Sequence, residues 1–310
     1  MMLLALLAVI GAGSVLVVGL LRRPRPAGGA LPAPTMPPDT AGLAIADFYP
    51  IHPAPRYGHG KPFPPKLLAV LEAGVPGYRT TLESFRVFIP DLLEIARDPL
   101  PQQPEEPAWC NGYLPGLDAL ALYGMVSVLR PSLFLEVGSG NSTKFAARAK
   151  RRHSPQTRIV SIDPTPRVEV DGLCDSIIRQ PLETADLAIF RNLTPKDILF
   201  FDGSHRVFQN SDVTVFFIEV LPYLPRGVTI HIHDIYWPHD YPPEWGNRYY
   251  SEQYMAALLL MFGEHHFDVL LPNCYVATCT RLGALFDALW TAPHLAGIES
   301  HGSSLWLRKR

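Results

Sequence analysis

The chain has 310 residues, of which 47% are hydrophobic and 18% are charged, so it is long enough to bury a full-sized core. Its formal net charge is -2, and it contains no long run of Lys and Arg. Because phosphate backbones are bound by concentrated positive charge, we expect no nucleic-acid partner.

The N-terminal segment, residues 1–21, contains no charged side chain. As a helix it would span about 30 Å, the thickness of the hydrocarbon core of a bilayer. A cleaved signal peptide is the alternative, but Arg22, Arg23 and Arg25 follow the apolar run, whereas a signal peptide carries its basic residues first. We therefore expect a transmembrane helix and, since positive flanks stay inside, a single-pass membrane protein whose folded part is cytoplasmic.

Two further segments precede the main domain. Residues 22–65 are rich in proline, which predicts a stiff, extended linker. Residues 66–130 are predicted to form a helical extension, because apolar residues such as Leu82, Phe85 and Leu92 recur at roughly helical spacing. The predicted helices are Lys66–Ala73, Thr80–Arg97 and Leu117–Leu129, with a break or kink at Pro90.

A change of pattern after Pro131 marks the main domain, residues 131–310. Short apolar, β-branched runs alternate with helical stretches, which is typical of a parallel sheet with helical crossovers. The predicted strands are Leu133–Val137, Arg158–Ile162, Ser176–Arg179, Ile198–Phe201, Val228–Ile232, Phe267–Leu271 and Ser304–Leu307. Their continuous apolar character predicts a sheet covered on both faces. The predicted fold is α/β, with a Rossmann-like, doubly wound, mostly parallel seven-stranded sheet.

A glycine-rich loop follows the first predicted strand. The sequence Leu-Glu-Val-Gly-Ser-Gly-Asn-Ser-Thr, residues 135–143, puts an acid and two glycines at a strand-to-helix junction, and glycine lets a ligand approach the backbone closely. Asp163 ends the next strand about 20 residues on, where an acid can bind both ribose hydroxyls. Thr143 replaces the third glycine of a dinucleotide fingerprint, so a nucleoside without a pyrophosphate is favoured.

Polar side chains also follow two neighbouring strands later in the sheet. Asp202 closes one strand and Asp234 the next, about 4.8 Å away. Two carboxylates so close need a cation or a proton between them, so we predict a divalent-cation site at Asp202, Asp234 and His233, with Mg²⁺ as the first choice. His205 lies in the turn after Asp202, where it can act as a general base near neutral pH.

On these motifs the chain resembles the class I S-adenosylmethionine-dependent methyltransferases, whose first motif is acidic-x-Gly-x-Gly and whose second strand ends in an acid. More narrowly, it is similar to the family of macrolide sugar O-methyltransferases and cephalosporin hydroxylase-like proteins. The resemblance runs from Trp109 to the C-terminus. It is most specific at residues 134–143, at Asp-Gly-Ser-His over residues 202–205, and at His-Asp-Ile over residues 233–235.

This resemblance implies an S-adenosylmethionine site. The residues implied to form it are Glu136, Gly138, Ser139, Gly140, Asn141, Ser142, Asp163, Leu182, Glu183 and Asp202. The acid and glycines of the loop would surround the methionine part, Asp163 would bind the ribose, and Leu182 and Glu183 would lie near the adenine.

The resemblance also implies roles at the reactive end. In the similar sugar enzymes the aspartate of Asp-x-x-His binds the metal and the histidine removes the proton, which implies those roles for Asp202 and His205. The following strand of those enzymes ends in Glu-Asp, whereas this chain has His233 before Asp234. Since His in the ligand shell favours softer metals, the identity of the metal stays open.

The predicted function is therefore metal-assisted methylation of a hydroxyl on a small molecule or sugar, with S-adenosylmethionine as methyl donor. One alternative is a ferrous iron hydroxylase that uses His205, His233 and one aspartate. Another is a non-catalytic, membrane-tethered binding module, since a fold alone does not determine a function.

Two residue types remain. The aromatic residues between Tyr236 and Tyr250 either stack on the acceptor or pack their own loop onto the domain. Cys110, Cys174, Cys274 and Cys279 are predicted to be free thiols, since they show no paired spacing.

Overall fold

The computed structural model describes residues 51–263 and 265–310. At its centre is a seven-stranded sheet in the order β3-β2-β1-β4-β5-β7-β6. The strands are β1 (Leu133–Val137), β2 (Arg158–Ile162), β3 (Ser176–Ile178), β4 (Ile198–Phe201), β5 (Thr229–Ile232), β6 (Phe267–Pro272) and β7 (Leu305–Lys309). Strands β1 to β5 pair in parallel, and β7 is antiparallel to both of its neighbours. The predicted Rossmann-like, doubly wound, mostly parallel sheet is confirmed.

Helices flank this sheet and precede it. The α-helices are α1 (Pro65–Ala73), α2 (Val75–Phe85), α3 (Ile89–Leu93), α4 (Gly116–Leu129), α5 (Asn141–His153), α6 (Ala188–Arg191), α7 (Asp212–Val215), α8 (Glu252–Phe262), α9 (Asn273–Cys279) and α10 (Asp287–Trp290). Shorter 3₁₀ turns are Arg86–Phe88, Asp171–Leu173, Leu182–Thr184, Leu221–Tyr223, Pro243–Arg248, Leu282–Phe286 and Pro293–Leu295, and Phe216–Val220 is a π-helical turn.

The helix predicted over Thr80–Arg97 is divided in the structure. Helix α2 ends at Phe85, a 3₁₀ turn follows, and α3 begins at Ile89 with Pro90 in its first turn. Proline lacks the N–H that a helix interior requires, but the first turn tolerates it. The prediction therefore placed the break near the right residue but began the helix too late.

The core is built from strands that are apolar on both faces. All four residues of β4 and of β5 are buried, as expected for strands under helices on both sides. Helix α4 is apolar around nearly its whole circumference, and most of its residues are buried. One polar residue in that helix, Asp118, has no exposed surface and bears directly on the site.

The predicted membrane localisation needs correction. In the part of the chain that the structure describes, no helix is long and apolar enough to cross a bilayer. The segment on which the prediction was based, residues 1–21, lies outside the described residues, as does most of the predicted linker. The four cysteines are free, as predicted.

Candidate active site

The predicted site residues lie where the strand order reverses. Strands β1 and β4 are neighbours, and the chain leaves β1 toward β2 on one side and reaches β4 on the other. Ligands of doubly wound sheets bind in the crevice at the carboxyl ends of such strands. The backbone N–H of Asp202 donates to the Val137 carbonyl at 2.9 Å, and that of His233 donates to the Phe201 carbonyl at 3.0 Å. Asp202 and His233 therefore stand directly after the last paired residues of β4 and β5.

The loop after β1 requires glycine at one position for a steric reason. Gly138 has φ +80°, and a Cβ there would collide with the carbonyl oxygen of Asp202. At Gly140 a Cβ would meet no atom within 4 Å, so the space beside it is open. Gly138 therefore lets β1 and β4 approach each other, and Gly140 leaves room for a ligand.

Glu136 anchors this loop from behind. It has no exposed surface, and its carboxylate accepts hydrogen bonds from Thr143 Oγ1 at 2.6 Å and from Ser142 Oγ at 3.2 Å. The Gly140 N–H in turn donates to Thr143 Oγ1 at 3.0 Å. Burial raises the pKa of Glu136 to about 8, against the effect of these two hydroxyls. Its contacts in this structure hold the loop and the start of α5 in place.

Asp163 is tied to the same loop. One carboxylate oxygen accepts from the Ser139 N–H at 2.8 Å and the Ser139 hydroxyl at 3.1 Å, and the other accepts from the Thr165 N–H at 2.8 Å. The end of β2 is thereby joined to the glycine loop, and the ribose contact expected of Asp163 stays a prediction.

Two connected cavities open beside these residues. A small one, of about 40 Å³, is lined by the loop residues Ser139, Gly140, Asn141 and Ser142 together with Asp202 and Arg167. It adjoins a larger cavity of about 890 Å³, the reaction cavity, which Asp202, His205, His233 and Asp234 also line. Leu182 and Glu183 stand in the 3₁₀ turn after β3 and line neither cavity.

His205 lies at the centre of the reactive end. Its Nε2 is 3.2 Å from Asp202 Oδ1 and 3.5 Å from Asp234 Oδ2, and its Nδ1 is 2.8 Å from Glu252 Oε2. The backbone of His205 is left-handed, at φ +60°, which turns the ring back toward the ends of β4 and β5. Burial opposes the charged ring, but the hydrogen bonds to Asp202 and Glu252 outweigh it and raise the pKa of His205 well above its ordinary value.

The expected pair of carboxylates is present, with the imidazole of His205 between them. When it is protonated, His205 supplies the positive charge that the sequence assigned to a metal ion. Burial works against ionisation of Asp202, but the neighbouring imidazoles hold the pKa of this carboxyl below its usual range.

The three residues predicted to bind metal do not form a ligand set. Among residues 51–263 and 265–310, no group of three or more His, Cys, Asp and Glu side chains is arranged to hold a metal ion. His233 Nε2 lies 3.9 Å from Asp234 Oδ1 and contacts the Tyr113 carbonyl at 3.3 Å instead. Neither the predicted Mg²⁺ site nor the alternative ferrous site is supported by this arrangement.

Two positions of the site were missed by sequence reasoning. Glu252, the first residue of α8, is wholly buried behind His205, and burial raises its pKa to about 7. Asp118 on α4 accepts the backbone N–H groups of Ser303 and Ser304 at 2.8 and 3.1 Å. The hydroxyl of Ser303 lies 3.3 Å from Asp234, so α4 is linked through one serine to a residue of the reaction cavity.

Comparison with known proteins adds a family match over the site. A family model described as a methyltransferase domain matches residues 135–235, from β1 to just after β5. This span includes the glycine loop, Asp163, Asp202, His205 and Asp234. The search of curated proteins found no match.

Several solved structures share a distant likeness. Cofactor-bound Rv0187 from MTB is 19% identical, with 67% of this chain and 89% of that chain covered and a TM-score of 0.34. An O-methyltransferase from Bacillus cereus in complex with SAH is 16% identical, with 74% and 90% covered and a TM-score of 0.33. The SAH-bound methyltransferase PaMTH1 from Podospora anserina is 13% identical, with 74% and 88% covered and a TM-score of 0.39. At TM-scores this low, these likenesses carry no argument about the chain.

The sheet, the glycine loop joined to an acid on β2, and the domain match agree with one another. Residues 135–235 form a methyltransferase domain, built on a Rossmann-like sheet.

Proposed function

We propose that this methyltransferase acts on a hydroxyl oxygen of a small-molecule acceptor, with His205 as the general base. The observation that carries the proposal is the placement of His205. Its ring is buried, lies at the ends of β4 and β5, and lines a cavity large enough for an acceptor.

The residues around the small cavity suit the methyl donor. The open space beside Gly140 and the exposed backbone of Ser139–Ser142 can receive a ligand, with Asp163 beside them for the ribose. Asp202 lines both cavities, so its negative charge faces the side on which a sulfonium would lie. When bound, S-adenosylmethionine supplies an electrophilic methyl group and leaves as a neutral thioether.

The chain's own part in the reaction is proton transfer and orientation. In this reaction the Glu252 carboxylate accepts a hydrogen bond from the Nδ1–H of His205, which fixes the tautomer and directs Nε2 into the cavity. In the neutral ring, Nε2 accepts the proton of the acceptor hydroxyl, and the freed oxygen forms the new bond to carbon. Asp202 and Asp234 stabilise the imidazolium that results. These steps are assigned to His205, Asp202 and Asp234 alone.

The test is methyl transfer by a His205→Ala variant of the full-length protein. We expect transfer to a panel of hydroxylated acceptors to fall by about 100-fold or more, the usual contribution of a positioned general base. Binding of S-adenosylmethionine, measured by calorimetry, should be retained. The control is His294→Ala, since His294 is exposed and its ring forms a hydrogen bond with the Leu93 carbonyl, away from the reaction cavity. Transfer at the wild-type rate by His205→Ala would exclude the proposed base.

A further inference from the structure

A second cavity, of about 400 Å³, lies next to the reaction cavity. We call it the aromatic chamber and define it by the six aromatic residues of its wall, Phe208, Tyr241, Trp245, Tyr249, Tyr250 and Tyr254. Its volume falls within the range of about 300–1,000 Å³ that small-molecule sites occupy.

The aromatic chamber is continuous with the reactive end. Trp245, Tyr250 and Pro242 line both the chamber and the reaction cavity. The ring of Tyr250 packs on His205, with 4.7 Å between the ring centroids. A ligand whose ring lies in the chamber must therefore extend past the Tyr250 ring to bring a hydroxyl to the proposed base.

The rings of the chamber wall are oriented to receive another ring. Trp245 and Tyr250 meet at 79° with centroids 5.6 Å apart, and Tyr241 and Tyr250 meet at 80° with centroids 5.7 Å apart. The guanidinium of Arg248 already lies over the Trp245 ring, 4.0 Å from its centroid, so a further aromatic partner would contact the remaining faces and edges of the wall.

The lining of the chamber offers little to a sugar. Asp240 is the charged residue that lines it, and its carboxylate already accepts hydrogen bonds from the N–H groups of Arg56 and Tyr57 and from the Tyr254 hydroxyl. Rings and prolines make up most of the rest of the lining, so the several hydroxyls of a sugar would have to share the few side-chain hydroxyls there, such as those of Tyr249 and Tyr250. A planar aromatic ring would lose no hydrogen bonds on entering.

We propose that the aromatic chamber binds the ring system of the acceptor, so that the substrate class of this enzyme is a one- or two-ring phenol and not a sugar. This inference rests on the proposed O-methylation, because the phenol hydroxyl must reach His205 in the adjoining cavity. Trp245 and Tyr250 would then contact the acceptor on the path between the chamber and the base.

The experiment uses full-length protein with 2-naphthol as the aromatic probe and methyl β-glucoside as the sugar probe. Binding is measured by calorimetry and methyl transfer by product formation. Ala54→Phe narrows the chamber at an exposed residue that has no role in catalysis. The control is Ala73→Phe, which makes the same substitution at an exposed position of α1.

We expect 2-naphthol to bind and to be methylated on oxygen, and the glucoside to be the poorer acceptor. In Ala54→Phe the Kd and KM for 2-naphthol should rise by about tenfold, the loss expected when one aromatic contact is blocked. Ala73→Phe should leave both unchanged.

Two outcomes separate this inference from the function on which it rests. If the glucoside is methylated in preference, or if Ala54→Phe leaves the Kd for 2-naphthol unchanged, the chamber is not the acceptor site although the O-methyltransferase stands. Alternatively, 2-naphthol binds and Ala54→Phe weakens its binding, but no hydroxyl is methylated. In that case the chamber assignment holds and the proposed reaction is overturned.

Discussion

His205 has three carboxylates within 3.5 Å of its ring nitrogens, and they determine when it can accept a proton. The sequence motif Asp-x-x-His brought Asp202 and His205 together because they are three residues apart. Glu252 could not be paired with them in advance, since it lies 47 residues further along and an acid in the first turn of a helix is common for reasons of the helix dipole alone.

The raised pKa of His205 predicts the pH dependence of methyl transfer. A general base must be neutral, so kcat/KM should increase with pH and reach its plateau above the ordinary histidine value of 6.5. Glu252→Gln removes a negative charge that raises this pKa, so the midpoint should move to lower pH. The matched control is the exposed Glu219→Gln, which should leave the profile unchanged. A midpoint that does not move in Glu252→Gln would contradict the assignment.

The imidazole between Asp202 and Asp234 predicts the response to chelators. Because His205 balances these carboxylates, methyl transfer should be unchanged after exhaustive treatment with EDTA and after later addition of Mg²⁺. The measurement is the initial rate with the same acceptor before and after treatment. Activity that is lost with EDTA and restored by Mg²⁺ would return a metal ion to this site.

At the scale of elements, the two glycines in the loop between β1 and α5 are needed for different physical reasons. Gly138 is required by the close approach of the Asp202 backbone, whereas Gly140 faces open space. The sequence predicted that both matter, but a pattern of spacing does not distinguish a packing glycine from one that admits a ligand.

This difference predicts that alanine substitutions at the two glycines affect different properties, namely stability at Gly138 and ligand binding at Gly140. Gly138→Ala should lower the free energy of unfolding by about 2 kcal/mol or more, since it combines a left-handed backbone with a backbone collision. Gly140→Ala should be clearly less destabilising but should weaken S-adenosylmethionine binding. Denaturant unfolding and calorimetry measure the two effects. Equal losses of stability in both variants would contradict the distinction.

The start of α4 is held by the segment that leads into β7. Gly116 and Leu117 donate their N–H groups to the carbonyls of Glu299 and His301, and Asp118 accepts from Ser303 and Ser304 in return. In the sequence, Asp118 is one acid in an apolar helical run, and its partners lie 185 and 186 residues away. Such a contact depends on the tertiary fold and has no local signal.

Asp118→Asn tests this link between elements. The substitution turns an NH₂ group toward existing donors inside the core, so the free energy of unfolding should fall by about 3 kcal/mol. The exposed Asp98→Asn should change it by about 0.5 kcal/mol at most. Denaturant unfolding of both variants gives the comparison, and similar stabilities would show that the Asp118 contacts are dispensable.

For the molecule as a whole, the sheet was predictable because its strands are short buried apolar runs separated by helical stretches. The seven strands lie within two residues of their predicted bounds, and the glycine loop, Asp163, Asp202, His205 and Asp234 meet at one edge as expected. The sequence did not reveal which positive charge lies between the two carboxylates, because either a metal ion or an imidazolium is compatible with the motif. The methyltransferase domain match favours an enzyme over the non-catalytic alternative.

We propose that the crevice between β1 and β4 binds S-adenosylmethionine with Asp163 on the ribose, and the decisive measurement is calorimetric titration of the full-length protein. We expect saturable binding that Asp163→Ala weakens by about tenfold or more, as the loss of a charge-assisted hydrogen bond predicts, while the exposed Asp186→Ala leaves it unchanged. No binding to the wild-type protein, or equal affinity in Asp163→Ala, would contradict the account.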